Sequence, residues 1–415
     1  MKLNKNGCLN IRKAKGATTA SVVVTGDFCP RAAGEELILN GGAADIIEPV
    51  MDIFRAADLS VMQFETALTT ADTPIVKSGP NLRCNPEVVE LLREWGGDVT
   101  LLANNHTGDF GPEALMDTID ILQSNGFKTV GAGADIDEAY KPLVCDACGI
   151  QVGILNVAEN EFGSASFDKP GAAPLNPCLN IRQIMELSQK VDVCMVVTHG
   201  GNEQNPIPSP RVVDMSRAFA AAGADIVINI HTHCPQGYEV FGDSLIIYSL
   251  GNFYFPWPKD RAYSPQDFWC NGYVARLDID ANGCFAFRPI PVTFDATGGT
   301  YVKTLTPAQN AAFYKYLDKI SAPIADRLEL QKFHETWAAS SYYTHFLHEY
   351  PYKEEDFQAP APNPKLMPLR NIFTCEAHNE LVKTYLRLVE EGRLKEALKY
   401  KKKIEALSKA TYINE

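Results

Sequence analysis

Asp27, Glu65, Asn105, His199, His231 and His233 offer carboxylate oxygens, an amide oxygen and imidazole nitrogens, and each follows a short apolar run. SVVVTG precedes Asp27, LSVMQF precedes Glu65, VTLLA precedes Asn104-Asn105-His106, VCMVVT precedes His199, and DIVINI precedes His231. Carboxylate, amide and imidazole together suit a hard or borderline divalent ion such as zinc, manganese or iron. Two such ions would clamp an oxyanion and lower the pKa of a bound water, which is hydrolytic chemistry. Glu65, the acid directly after its strand, is the candidate bridge. His231 and His233 are two residues apart, a spacing that puts both imidazoles on one face of an extended strand. His106 is the candidate general acid, and Asp109, three residues on, would orient it. Glu203 in THGGNE is a candidate partner of His199 or of substrate, and Asn252 in YSLGNFYF and Asn104 are candidates to hydrogen-bond near the site. Taken singly, each residue has an ordinary use, as a hydrogen-bonded strand-end histidine or an Asn-Asn turn. Recurrence at five strand ends is what argues for one shared site.

Positioning those groups falls to an α/β pattern running from residue 21 to about 250. Residues 21–25, 59–64, 99–103, 151–157, 193–198 and 226–230 read as strands rich in β-branched residues. Helices are expected at 86–95, 112–125, 179–190 and 210–222, the first two opening on a proline where the missing N–H costs nothing. The carboxyl edge of such a sheet is where ligands bind. From Tyr238 to Val292 strands follow one another without helices, with hairpin turns at Gly242-Asp243 and Asn282-Gly283, so an antiparallel section is expected and a two-sheet β-sandwich flanked by helices results. The expected division is an N-terminal extension over 1–20, a main domain over 21–299 and a mostly helical cap or tail over 300–415. Thr306 is a plausible N-cap, a charged helix-pair pattern runs from Glu376 to Lys409, and APAPNP reads as a linker inside an aromatic, proline-rich stretch.

Composition narrows the partners. The chain has 415 residues, with 38 basic against 51 acidic side chains and a formal charge of -13. That surface field argues against nucleic acid and anionic membranes. A small-molecule or anionic-polymer substrate is expected, and for a polyanion Arg31, Lys77 and Arg83 are the basic groups near the first motifs. The cysteines are odd in number and scattered through apolar runs, as in a reducing compartment. Cys145 and Cys148 have half a zinc-knuckle spacing but read as a turn, and Gly131-Ala132-Gly133 reads as a tight loop rather than a phosphate loop. The first sixteen residues lack an apolar signal core, and no apolar run reaches about 18 residues, so no integral membrane segment is expected and the simplest location is cytoplasmic.

TGDFCP, QFETALTT, LLANNHTGDFG, VVTHGGNE, INIHTHCPQGYE and IIYSLGNFYF occur in the order and approximate spacing of the CapA family, the bacterial poly-γ-glutamate capsule synthesis proteins. The resemblance spans roughly residues 21–256. That family is similar in turn to the calcineurin-like metallophosphoesterases, which implies a four-layer, two-sheet sandwich. It also implies that Asp27, Glu65, Asn105, His199, His231 and His233 correspond to ligands of a two-metal centre, with His106 as proton donor. In the superfamily's Asp-x-His motif the third position is Cys29 here, so Cys29 is either a thiolate ligand or marks a weakened first metal position. The resemblance implies a metal-dependent hydrolase of a phosphoester or γ-glutamyl bond. The alternative is a capsule-biosynthesis component or binding protein that uses the same site without turnover.

Overall fold

The computed structural model describes residues 2–257, 264–295, 301–341 and 352–414. Among them, one sheet has nine strands. Its main order is Leu9–Asn10, Gly283–Thr293, Asn271–Asp280, Ala20–Phe28, Leu59–Phe64, Val99–Leu101 and Lys128–Val130, with Asn252–Tyr254 added beside Ala20–Phe28 and Lys303–Thr304 beside Gly283–Thr293. The other has six strands, ordered Tyr238–Phe241, Ser244–Ile247, Ile226–Ile230, Val193–His199, Ile150–Ala158 and Leu143–Ala147. The strands from Ala20–Phe28 through Lys128–Val130 run parallel to one another, as do Ile150–Ala158, Val193–His199, Ile226–Ile230 and Ser244–Ile247. Each sheet therefore presents one set of carboxyl ends.

The alternation of side chains across a strand builds the layers. Val22, Val24 and Val61 enter a buried cluster shared with Ile154, Val196 and Ile228 of the other sheet. Val23 and Met62, one residue out of step, enter a second cluster with Ile46, Phe54, Leu92 and Leu115 of the covering helices. Strands buried on both faces need apolar residues at nearly every position, and that is why they read as continuous runs. The two-sheet sandwich with flanking helices is thus borne out.

The expected helices form at Val89–Trp95 behind a 3-10 turn at Pro86–Val88, and at Gly111–Ser124, Pro177–Leu187 and Pro210–Ala221. Three short helices missing from the sequence reading, Ala33–Leu39, Ala43–Ile47 and Met51–Arg55, lie between the first two parallel strands. Gly41-Gly42 and Pro49 break them into pieces too short to show a helical period.

The strands after Tyr238 correct the expectation of one antiparallel section. The Tyr238–Phe241 and Ser244–Ile247 hairpin joins the six-stranded sheet, whereas the Asn271–Asp280 and Gly283–Thr293 hairpin extends the nine-stranded one. Gly283, at φ +101°, makes the turn of the second.

The expected boundary at 299/300 and the first part of the aromatic stretch, 342–351, lie outside the described residues. Beyond them the chain is mostly helical, from Pro307–Ser321, capped by Thr306 in a capping box, to Glu376–Glu390 and Lys401–Leu407. Phe313, Leu317, Phe333, Ile404 and Leu407 belong to the same apolar cluster as the sheets. Cys145 is buried in a strand and Cys148 exposed in the turn that follows, and every described cysteine is free. Ala132–Gly133 pairs with Gly171–Ala172 in a two-stranded ribbon, and among the described residues no helix is long and apolar enough to cross a membrane.

Candidate metal centre

Oxygen donors come from the nine-stranded sheet. Asp27 lies inside the Ala20–Phe28 strand, just after a register shift that follows Val24, rather than beyond the strand end. Gly26 allows this: a Cβ there would lie 1.7 Å from the Gly251 carbonyl oxygen, so only glycine lets the 251–254 segment pair beside Asp27. Glu65 follows its strand directly, its N–H donating to Phe28 O at 2.9 Å. Asn104 shapes the next turn: its amide donates to Phe64 O (2.8 Å), and its oxygen accepts from the His106 and Thr107 N–H groups (3.0 and 2.8 Å). Asn104 is therefore spent within the turn that presents Asn105 and His106.

Nitrogen donors come from the six-stranded sheet. His199 ends its strand, while His231 and His233 lie beyond Ile230. Their backbones have φ of +103° and +51°. The expectation that an extended strand puts both imidazoles on one face is thus corrected: left-handed backbone, costly for a side-chain-bearing residue, aims them. Asn229 braces the loop, donating to Gly200 O (2.8 Å) and Tyr248 O (3.1 Å).

The donors converge into two overlapping groups, Asp27 with Glu65 and His199, and Glu65 with His231 and His233; within each, one ligand atom per residue lies within 4.8 Å of the others. Asn105 Oδ1 is 3.0 Å from His199 Nε2, and His231 Nδ1 is 3.1 Å from that same nitrogen. Both carboxylate oxygens of Asp27, both of Glu65 and His199 Nδ1 are buried without a hydrogen bond, their near neighbours being other imidazoles of the centre, with His233 Nδ1 3.3 Å from Asp27 Oδ2 and His199 Nε2 3.5 Å from Glu65 Oε1. Buried carboxylates are ordinarily paired or bound to a cation, so this oxygen and nitrogen set fits a divalent metal.

Burial and the neighbouring Asp27 hold the Glu65 carboxyl well above its usual range. Burial depresses His199 to about 4 and holds His231 well below its usual range, the neutral state a metal-binding imidazole needs. His233 is also desolvated, yet Glu65 and Asp27 raise it to about 10. Asn252 Oδ1 lies 2.8 Å from His233 Nδ1 and fixes its ring.

His106 sits beside the donors. Its Nδ1 is 2.7 Å from Asp109 Oδ2 and its Nε2 is 3.9 Å from Glu65 Oε1. Burial and Lys77 bring its pKa down to about 4. Lys77, expected as a basic group for a polyanion, lines the cavity over the centre but is buried in an ion pair with Asp109. Arg83 faces the Phe110 ring at 5.3 Å and does not line the cavity over the centre. Cys29, expected either as a thiolate ligand or as the mark of a weakened first metal position, is buried among apolar groups and outside both donor groups, where desolvation and the Cys84 thiol push its pKa well up. Glu203 approaches His231 Nε2 at 4.0 Å rather than His199, with its side chain 44% exposed.

A cavity of about 420 Å³ lies over the centre, reached by Asn105, His106 and His233. Sequence reasoning missed most of its remaining lining: Phe255, Trp257, Trp269, Glu161, Asn371 and His378. The last two come from the C-terminal helices, anchored where Arg211 pairs with Glu159 and Glu380 and where Glu159 Oε2 accepts from Ala377 N at 3.0 Å. Also missed was Asn156, which accepts from Ala103 N (2.8 Å) and donates to Val197 O (3.1 Å), tying the sheets together beneath the site. Its one signal was a lone amide inside an apolar strand.

The chain is 30% identical over 294 residues to the PGA biosynthesis protein CapA of Bacillus subtilis (strain 168), an alignment that covers 67% of this chain and 76% of that protein. It is 27% identical over 327 residues to the capsule biosynthesis protein CapA of Bacillus anthracis, covering 75% and 79%. A crystal structure of a phosphatase from Mycoplasma pneumoniae superposes with a TM-score of 0.42 at 15% identity, over 68% of this chain and 96% of that one. Residues 21–256 match the family model described as bacterial capsule synthesis protein PGA_cap. Every donor of the centre falls within that match, and the chain belongs to the bacterial capsule synthesis protein family.

Proposed function

We propose that the chain is a metal-dependent hydrolase of the metallophosphoesterase type, holding two divalent ions at Asp27, Glu65, Asn105, His199, His231 and His233 and cleaving a phosphoester. The observation that carries this reading is Glu65: it belongs to both donor groups, so its two oxygens suit a bridge. Manganese, zinc or iron bound there would supply Lewis acidity and a hydroxide nucleophile.

The chain's own groups do the rest. Asp109 accepts from His106 Nδ1 and leaves the Nε2 lone pair facing the centre, where it would first take a proton from the attacking water and then, as an imidazolium paired with Asp109, pass it to the leaving oxygen. Lys77 holds Asp109 in place while donating to Asn105 O (3.3 Å), linking the dyad to a donor residue. Arg31 lines the cavity and suits an anionic substrate.

A second reading, a capsule-synthesis component that holds a polymer without turnover or cleaves a γ-glutamyl bond, draws on the names of the relatives and on Cys29, which leaves one position short of a ligand. Elemental analysis tests the centre, with one or two transition-metal ions expected per chain. A manganese- or zinc-supplemented screen over aryl phosphomonoesters, phosphodiesters and γ-glutamyl peptides tests the chemistry. Phosphoester turnover is expected; turnover of the γ-glutamyl peptides alone, or silence across all three with metal bound, would favour the second reading.

A further inference from the structure

The cavity over the centre has two kinds of wall. Phe255, Trp257 and Trp269 form an aromatic cluster, with Trp257 and Trp269 centroids 4.1 Å apart and Phe255 meeting Trp269 edge-on at 4.9 Å. Trp269 also lies against His233, centroid to centroid at 4.5 Å, so the cluster begins at the metal donors themselves. Trp269 is pinned by its indole N–H, which donates to Phe255 O at 2.6 Å.

Two acids line the same space. Glu161 follows the Ile150–Ala158 strand; its backbone engages Ser164, and among the described residues its carboxyl makes no ion pair or hydrogen bond. Glu203 is half exposed, and its close basic neighbour among the described residues is the His231 imidazole at 4.0 Å, which burial holds neutral. The cations are divided differently: Lys77 is taken up by Asp109, and Arg31 follows Asp27 on the opposite sheet. A carboxyl with no ion-pair partner among the described residues, beside indole faces and with Lys77 acting on it only at a distance, is poor ground for an anionic or plain apolar group. It is favourable ground for an organic cation, which aromatic faces attract through their quadrupole and a carboxylate through charge.

We infer that this cavity receives an organic ammonium group carried by the alcohol portion of the substrate, held by Trp257, Trp269 and the Glu161 and Glu203 carboxylates while the phosphoryl end meets the metal donors and Arg31. The inference rests on the phosphoesterase reading only for that phosphoryl end. Burial pushes the Glu161 carboxyl up to about 8, a desolvation cost that a seated cation offsets.

Tryptophan fluorescence of the full chain, with and without manganese, tests it through titration with choline and with ethanolamine, using 3,3-dimethylbutan-1-ol as the neutral isostere of choline. Saturable change with a cation and none with the neutral alcohol is expected. Stronger binding of choline identifies a site led by the aromatic wall, and stronger binding of ethanolamine one led by the carboxylates. Glu161→Gln should weaken cation binding about tenfold or more, the loss of one charge-assisted contact. Trp257→Leu supplies a second variant should the first fold poorly. Equal response to the neutral alcohol, or wild-type cation affinity in both folded variants, overturns the inference. Hydrolysis of bis(4-nitrophenyl) phosphate without any cation binding would leave the proposed activity standing and remove this inference. Cation binding with no ester turned over would do the reverse.

Discussion

The oxygen and nitrogen sides of the centre reach the same point by different means. Asp27, Glu65 and Asn105 leave the nine-stranded sheet with negative φ, held by strand pairing and by the Asn104 turn, whereas His231 and His233 project from the six-stranded sheet on left-handed backbone. Strained positions of that kind cost on the order of 1–3 kcal/mol each and persist where the surroundings over-determine them. Here the surroundings are specific: Gln204 N–H donates to Thr232 O (2.8 Å), Thr232 Oγ1 donates to Cys234 O (3.0 Å), and Asn252 grips His233. One side is placed by regular structure and the other by a braced loop, so the two should fail differently.

The largest effect is expected at the residue that joins them. Glu65→Gln should abolish uptake of every ion, read by elemental analysis after incubation with manganese; retention of one ion per chain would show that the sides bind independently. His106→Ala comes next. Turnover should fall about 10²- to 10⁴-fold with metal content unchanged, the signature of a proton-transfer group, and parallel loss of metal would instead make His106 part of the donor set.

Asn252→Ala tests the bracing of the nitrogen side and should weaken metal affinity about 10- to 100-fold, as removal of a ligand's orienting partner does; calorimetric titration with zinc at wild-type affinity would show that the loop alone suffices. The smallest effect is the most direct comparison. In metal-free protein, His231→Gly should leave stability unchanged or raise it, because glycine relieves the strain at φ +103°. Asn105→Gly should lower it by about 0.4–1 kcal/mol through added freedom of the unfolded chain. Urea unfolding in chelator reads both, and the same sign at both positions would remove the distinction between the sides.

Much of the centre was legible because its parts are local. A donor after an apolar run is visible in one dimension, and so Asp27, Glu65, Asn105, His199, His231 and His233 could be named from their strands, with His106 and Asp109 close by in one turn. What lay beyond was non-local. Lys77 reads as one of three basic groups near the first motifs until the fold buries it against Asp109, and Cys29 reads equally as a ligand or as a gap in the donor set until the fold places it outside both donor groups. The cavity walls are more distant still: Glu161, Trp257, Trp269 and Asn371 sit in segments with no shared period or motif.

The amino-acid sequence by itself thus determined the strands, their apolar faces and the polar groups at their ends, since alternation and β-branching act over a few residues. Only the tertiary structure decided that two sheets meet with their carboxyl edges together, that a positive φ swings two histidines into line, and that the C-terminal helices close over the site. Those outcomes depend on contacts between segments hundreds of residues apart, where packing and burial rather than local preference set the geometry.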